Sequence, residues 1–302
     1  MNKTLTLAAA TAITGLLALA SPARAQTLVT AFQPYTVTPA PGVWFQSDVR
    51  PGGTASIVNL TGVGGNLENA QPLPRGAALL TTNFTNAAKA EVAVVNNYGV
   101  VNNILPNLIV GFSWHKATNP LPGANQLAAP SLKLTFYNPV CSDPASGGDC
   151  YITFVWEAYL DRHAPVPPAD TWTREDFDAD IGGWWTTGGF GTPPGNGGCG
   201  AVPCPTLREW SSVLSSDFGR ATLVAISVGV GTNNQGQIGY FDDVIIAGTR
   251  ANAIYDFEPP FASVKECVTT LIAENCSALS GKARVNCNHE QQLRCFDLYN
   301  IK

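Results

Sequence analysis

Apolar side chains alternate with small or polar ones over residues 224–230 (V-A-I-S-V-G-V), the period-two mark of a half-buried strand. The seven residues that follow, G-T-N-N-Q-G-Q, are turn chemistry. A second strand reads over 238–247 and stops at Gly248. Two strands joined by such a loop predict an antiparallel hairpin. Similar runs predict strands at 56–60, 77–84, 90–95, 108–116, 131–137 and 152–160, with an edge strand at 171–177. The runs at 131–137 and 152–160 are expected to pair across the loop between them. Residues 207–214 read as a short helix. Long helices do not alternate with these strands, which argues against a parallel α/β sheet. The expected fold class is all-β: an antiparallel β-sandwich.

The pattern changes after residue 262. Val264, Val268, Leu271 and Ile272 recur at helical spacing, Ser280-Gly281 is a stop, and 282–296 can form a second helix. In an antiparallel helix pair, facing residues share a nearly constant index sum. Cys267 with Cys295 and Cys276 with Cys287 satisfy that condition, so nested bridges are expected. The predicted organisation is a leader over 1–25, an N-terminal arm over 26–54, a sandwich over 55–260 and a Cys-rich helical hairpin over 261–302. The hairpin is expected either to pack on the sandwich or to dock a partner.

Residues 1–25 read as a secretory leader, with Lys3, an apolar core and the small-x-small site Ala23-Arg24-Ala25. A secreted protein, periplasmic or extracellular, is therefore expected. No later apolar run approaches the ~20 residues of a membrane span. The chain has 17 Lys and Arg against 22 Asp and Glu. That balance argues against nucleic acid, which needs clustered positive charge. The 29 glycines and 22 prolines suit a turn-rich β protein. Eight cysteines in an exported chain predict four disulfides. Cys141–Cys150 and Cys199–Cys204, each closing a short loop, are expected besides the two tail bridges. The C-x-x-C spacing of a thiolate metal site does not occur.

The segments Gly239-Tyr240-Phe241-Asp242-Asp243-Val244 and Tyr255-Asp256-Phe257-Glu258 resemble the closing strands of secreted bacterial jelly-roll sandwiches, a group that includes many carbohydrate-binding modules. The resemblance implies a structural calcium with an aspartate of the last strand among its ligands, here Asp242 or Asp243. Partner ligands would come from the N-terminal arm, whose region offers only Asp48 and Glu68 as acids.

Glycan recognition combines aromatic faces, which stack on CH-rich sugar faces, with carboxylates that accept from hydroxyls. Read as a strand, 152–160 sets Glu157 and Tyr159 on the face opposite Phe154 and Trp156. Trp114 on the 108–116 strand is a further candidate, as are Trp184, Trp185 and Tyr98 in Gly-rich turns. The bland alternative is a solvated sheet face with ordinary cross-strand pairs. Ser113-x-His115 lacks a nucleophile elbow and an acid partner. Glu157 and Asp161 would lie about 13 Å apart along one strand, too far for a glycosidase pair. Glu157 with Glu175, Asp176 or Asp178 stays open. The sequence thus points to a non-catalytic binder of extracellular polysaccharide or cell-surface glycan. A matrix or adhesive protein and a polysaccharide hydrolase or lyase are the alternatives.

Overall fold

The computed structural model describes residues 26–119, 124–140, 150–161, 167–188 and 204–299. The expected leader, Cys141, Cys199 and His163 lie outside the described residues. Thirteen strands are described. They are β1 (Gln26–Val29), β2 (Trp44–Gln46), β3 (Gly53–Asn59), β4 (Gly76–Thr82), β5 (Lys89–Val100), β6 (Ile109–Lys116) and β7 (Ser131–Tyr137). β8 (Tyr151–Trp156), β9 (Trp172–Phe177), β10 (Trp184–Gly188), β11 (Thr222–Gly231), β12 (Ile238–Ala247) and β13 (Ala253–Phe257) follow. Two short helices, α1 (Gly65–Asn69) and α2 (Val101–Ile104), precede three longer ones: α3 (Leu207–Arg220), α4 (Val264–Cys276) and α5 (Gly281–Leu298).

The strands form two sheets. The first runs β1-β13-β12-β4-β3, with β6 also on β12 and β9 on β6. The second runs β10-β8-β7-β11-β5-β2. One core lies between them, from Leu80 and Phe241 on the first sheet to Leu134, Phe154 and Val228 on the second. The sandwich is antiparallel except for β1, which pairs parallel to β13. "All-β" is too strong, because α3 and the tail helices are integral. A capping box of Thr206 and Glu209 starts α3. Leu207, Trp210, Leu214 and Phe218 then face the core at helical spacing, and Phe218 packs on Phe136 and Phe154. The amphipathic run therefore continues six residues past the expected end.

The predicted closing hairpin does not form. β11 lies in the second sheet between β5 and β7, while β12 lies in the first between β13, β4 and β6. Residues 231–237 carry the chain from one sheet to the other. Gly231, Asn233 and Gly236 take positive φ there, which such a crossing demands and which Gly and Asn tolerate. The polar segment is also tied down: Asn233 N–H donates to Asn86 O at 2.9 Å and Thr82 Oγ1 to Asn234 O at 2.6 Å. The pairing of β7 with β8 is antiparallel as expected, and β9 is an edge strand beside β6. β8 ends at Trp156, so Tyr159 sits in a one-turn helix over Ala158–Leu160.

The tail is a helical hairpin with nested bridges Cys267–Cys295 and Cys276–Cys287. Cys150 and Cys204 are also disulfide-bonded. Phe261, Cys267, Leu271 and Cys295 form a small second core to which Leu28 of β1 adds. The hairpin is thus packed against the sandwich. Among the described residues no helix is long and apolar enough to cross a membrane.

Candidate functional site

The second sheet positions the site. On β8, Ile152, Phe154 and Trp156 face the core, so Thr153 and Val155 face outward. The same parity turns Lys133 and Thr135 of β7, Glu91 of β5 and Trp185 of β10 outward. A cleft of about 500 Å³ runs over these residues, with Arg50, Lys89 and Asn233 on its rim.

At the β10 side, Glu157 Oε2 accepts from Trp185 Nε1 at 3.0 Å and from Tyr159 OH at 3.1 Å. Burial raises the Glu157 carboxyl above the usual carboxylate range, against the pull of these two donors and of Lys133. Burial and the neighbouring Glu157 push the Tyr159 hydroxyl up to about 12. The hydrogen bond from Trp185 holds its partly buried indole at the cleft wall.

At the β5 side stands a ladder of ion pairs. Asp48 joins Arg50 at 2.7 Å and Lys89 at 2.8 Å, and Lys89 joins Glu91 at 2.9 Å. Lys133 Nζ donates to Glu91, whose other oxygen accepts from Ser227 Oγ at 3.2 Å. Burial alone would raise the Glu91 carboxyl, but Lys133 and Lys89 outweigh it and hold the group at about 2. Burial pulls the Lys133 ammonium down, with Glu91 opposing. Thr135 and Thr153 set their hydroxyls side by side at 3.0 Å between the two ends.

Three of the residues singled out in the sequence, Glu157, Tyr159 and Trp185, therefore meet at one place. Three do not. Trp114, Trp184 and Tyr98 are fully buried. Trp114 lies on the inner face of β6, and Trp184 points inward where its neighbour Trp185 points out, as strand alternation requires. Tyr98 falls within β5 rather than in a turn. None of the three presents surface to a ligand. The ladder was missed, although Lys133 in S-L-K-L-T-F-Y is the one charge in an otherwise suitable strand. That is the signal that could have found it.

Asp242 and Asp243 have separate partners. Asp243, at φ 52°, accepts from Arg174 at 2.7 Å. Asp242 is buried and accepts from Phe257 N–H at 3.0 Å. Beyond it Asp256 is held by Arg294 and Glu258 by Arg75. Among the described residues no group of three or more His, Cys, Asp or Glu is arranged to hold a metal. Asp242 Oδ2 and Asp256 Oδ1 are buried without a hydrogen-bond partner among the described residues. Ser113 and His115 are buried, and His115 packs between Trp172 and Tyr240. Burial raises Glu175 to about 7, with Asp161 and Asp176 adding to the rise. It lies on β9, in the first sheet, and does not join Glu157.

The architecture is a two-sheet β-sandwich carrying an outward cleft and a stapled helical hairpin. No family model matches the chain, and no curated protein matches it. Among solved structures, a family 11 carbohydrate-binding module from Clostridium thermocellum in complex with a β-1,3-1,4-mixed-linked tetrasaccharide is 9% identical. That match covers 72% of this chain and 89% of the module, with a TM-score of 0.32. An endo-β-1,4-glucuronan lyase from the fungus Trichoderma reesei is 13% identical over 71% of this chain and 98% of its own, with a TM-score of 0.31. The xyloglucanase domain of NopAA from Sinorhizobium fredii, in complex with cellobiose, is 12% identical over 68% and 93%, with a TM-score of 0.29. Carbohydrate-binding modules do stand among the structural neighbours, as the closing strands suggest. At these scores the fold description rests on the strand pairing of this chain itself.

Proposed function

We propose that the protein binds glycan, without cleaving it, in the cleft across the outer face of the second sheet. The observation that carries this reading is the convergence of Trp185, Glu157 and Tyr159 at one wall. An indole held by a carboxylate that still has a free oxygen combines a stacking plate with a hydroxyl acceptor, and the Thr135–Thr153 floor supplies further hydroxyl partners. An extracellular polysaccharide or cell-surface glycan is the partner, and the four tail cysteines in bridges suit an exported setting. The test is affinity electrophoresis and calorimetry on a polysaccharide panel, with Trp185→Ala and Glu157→Ala alongside. Binding that both variants lose supports the reading; no binding to any polysaccharide sinks it.

Hydrolysis is a second reading with one observation in its favour. Glu157, pushed up, and Glu91, held down, line the same cleft. Opposed shifts in a carboxyl pair are the mark of an acid and base couple. Binding stands ahead of it because Glu91 is committed to Lys89 and Lys133, which makes it a weak base. Reducing-sugar release from a bound polysaccharide would reverse that order.

A further inference from the structure

We infer that the cleft selects uncharged glycan chains over acidic ones, and that Glu91 is the residue that sets this preference. The inference rests on the glycan reading above. The cleft has three cations, Arg50, Lys89 and Lys133. All three already have carboxylate partners within the protein: Asp48 lies on Arg50 and Lys89, and Glu91 on Lys89 and Lys133. Neighbouring cations with no such partners would mark a site for uronates or sulfates. Here an incoming anion has to displace Glu91 from two lysines at once, or Asp48 from its lysine and arginine. It would also meet the Glu157 carboxyl on the opposite wall, which repels a second anion when ionised. A neutral polyol meets none of these obstacles.

The backbone is built to keep Glu91 in place. β11 puts Gly229 opposite Glu91, and a Cβ at Gly229 would come within 3.2 Å of the Glu91 Cγ and Oε2 atoms. Bare backbone there lets the carboxylate lie across the sheet and reach Lys133 on β7. Ser227 Oγ supplies a third hold. Selection therefore comes from an internal anion that occupies the place a ligand carboxylate would take, a device that rejects as much as it attracts.

The experiment measures affinity for matched pairs of polysaccharides with one backbone, in neutral form and oxidised at C6 to the uronate. The wild-type protein is expected to bind the neutral form at least about tenfold more tightly. Glu91→Gln, which leaves Lys133 without its carboxylate and Lys89 with Asp48 alone, is expected to narrow or reverse that ratio by about tenfold. Asp48→Asn is expected to move it the same way at the rim, and it serves if Glu91→Gln does not fold. Wild-type binding of the oxidised form as tight as, or tighter than, the neutral form overturns the selectivity and leaves the glycan reading standing. An unchanged ratio in folded Glu91→Gln overturns the assignment to Glu91. Binding of neither form removes both readings together.

Discussion

Arg294 of α5 donates through Nη2 to Asp256 of β13 at 2.5 Å, and both side chains are almost wholly buried. This pair ties the helical hairpin to the sandwich at the level of the core. Arg294 also donates to Gln291 on its own helix at 2.7 Å, which holds the guanidinium aimed. Removing one partner leaves a charge without water or counterion. Arg294→Ala is expected to cost about 3–5 kcal/mol, seen as a lower urea midpoint. A loss below about 1 kcal/mol would mean the pair is solvated, contrary to this geometry.

Close by, Glu258 pairs with Arg75 at 2.9 Å, yet burial, with Asp256 adding, raises its carboxyl to about 8. The folded chain therefore keeps a proton that the unfolded chain releases near pH 4.5. Stability from this group is complete below about pH 4.5 and drains away as pH rises through 8. Urea midpoints are expected to fall between pH 6 and pH 9, and Glu258→Gln should flatten the slope. Parallel slopes in the two proteins would contradict the assignment.

Trp184 and Trp185 are neighbours with opposite fates. Trp184→Ala empties a core position and is expected to cost about 3–5 kcal/mol. Trp185→Ala removes a partly buried plate and should cost less stability than Trp184→Ala while abolishing glycan retention. Trp114→Ala belongs with Trp184→Ala. Thermal unfolding and affinity electrophoresis on the three variants separate these outcomes; equal effects of Trp184→Ala and Trp185→Ala on both readouts would contradict the facing described here.

Local patterns were legible wherever one periodicity acted alone. The alternation at 131–137 and 152–156 gave the strands and their faces, and hence the outward position of Glu157. Helical spacing with cysteine arithmetic gave the nested tail bridges, because an antiparallel helix pair leaves little freedom in which cysteines can meet. Pairing between strands was less legible. The stretch from Val224 to Ala247 reads equally well as a hairpin or as a crossing between sheets, since a Gly/Asn loop serves both and only distant partners decide. Trp114, Trp184 and Tyr98 show the same limit. An aromatic in a glycine-rich context, as at Trp184 and Tyr98, or on a strand, as at Trp114, is compatible with a surface, and only tertiary packing decides that all three are buried. The ladder of Asp48, Lys89, Glu91 and Lys133 joins three separate segments, so it had no signature as a motif.

The crossing at 231–237 has a consequence for altering what the cleft accepts. Thr232 and Asn233 at its start border the cleft, while Asn234 and Gln237 at its end are held by Thr82 of the first sheet. Trimming or randomising that bank would unhitch the two halves of the sandwich along with the rim. The opposite bank, with Trp185 and Thr187, lies on β10 at the edge of the second sheet. Redesign has room on one shore only, and the other must be left as it is.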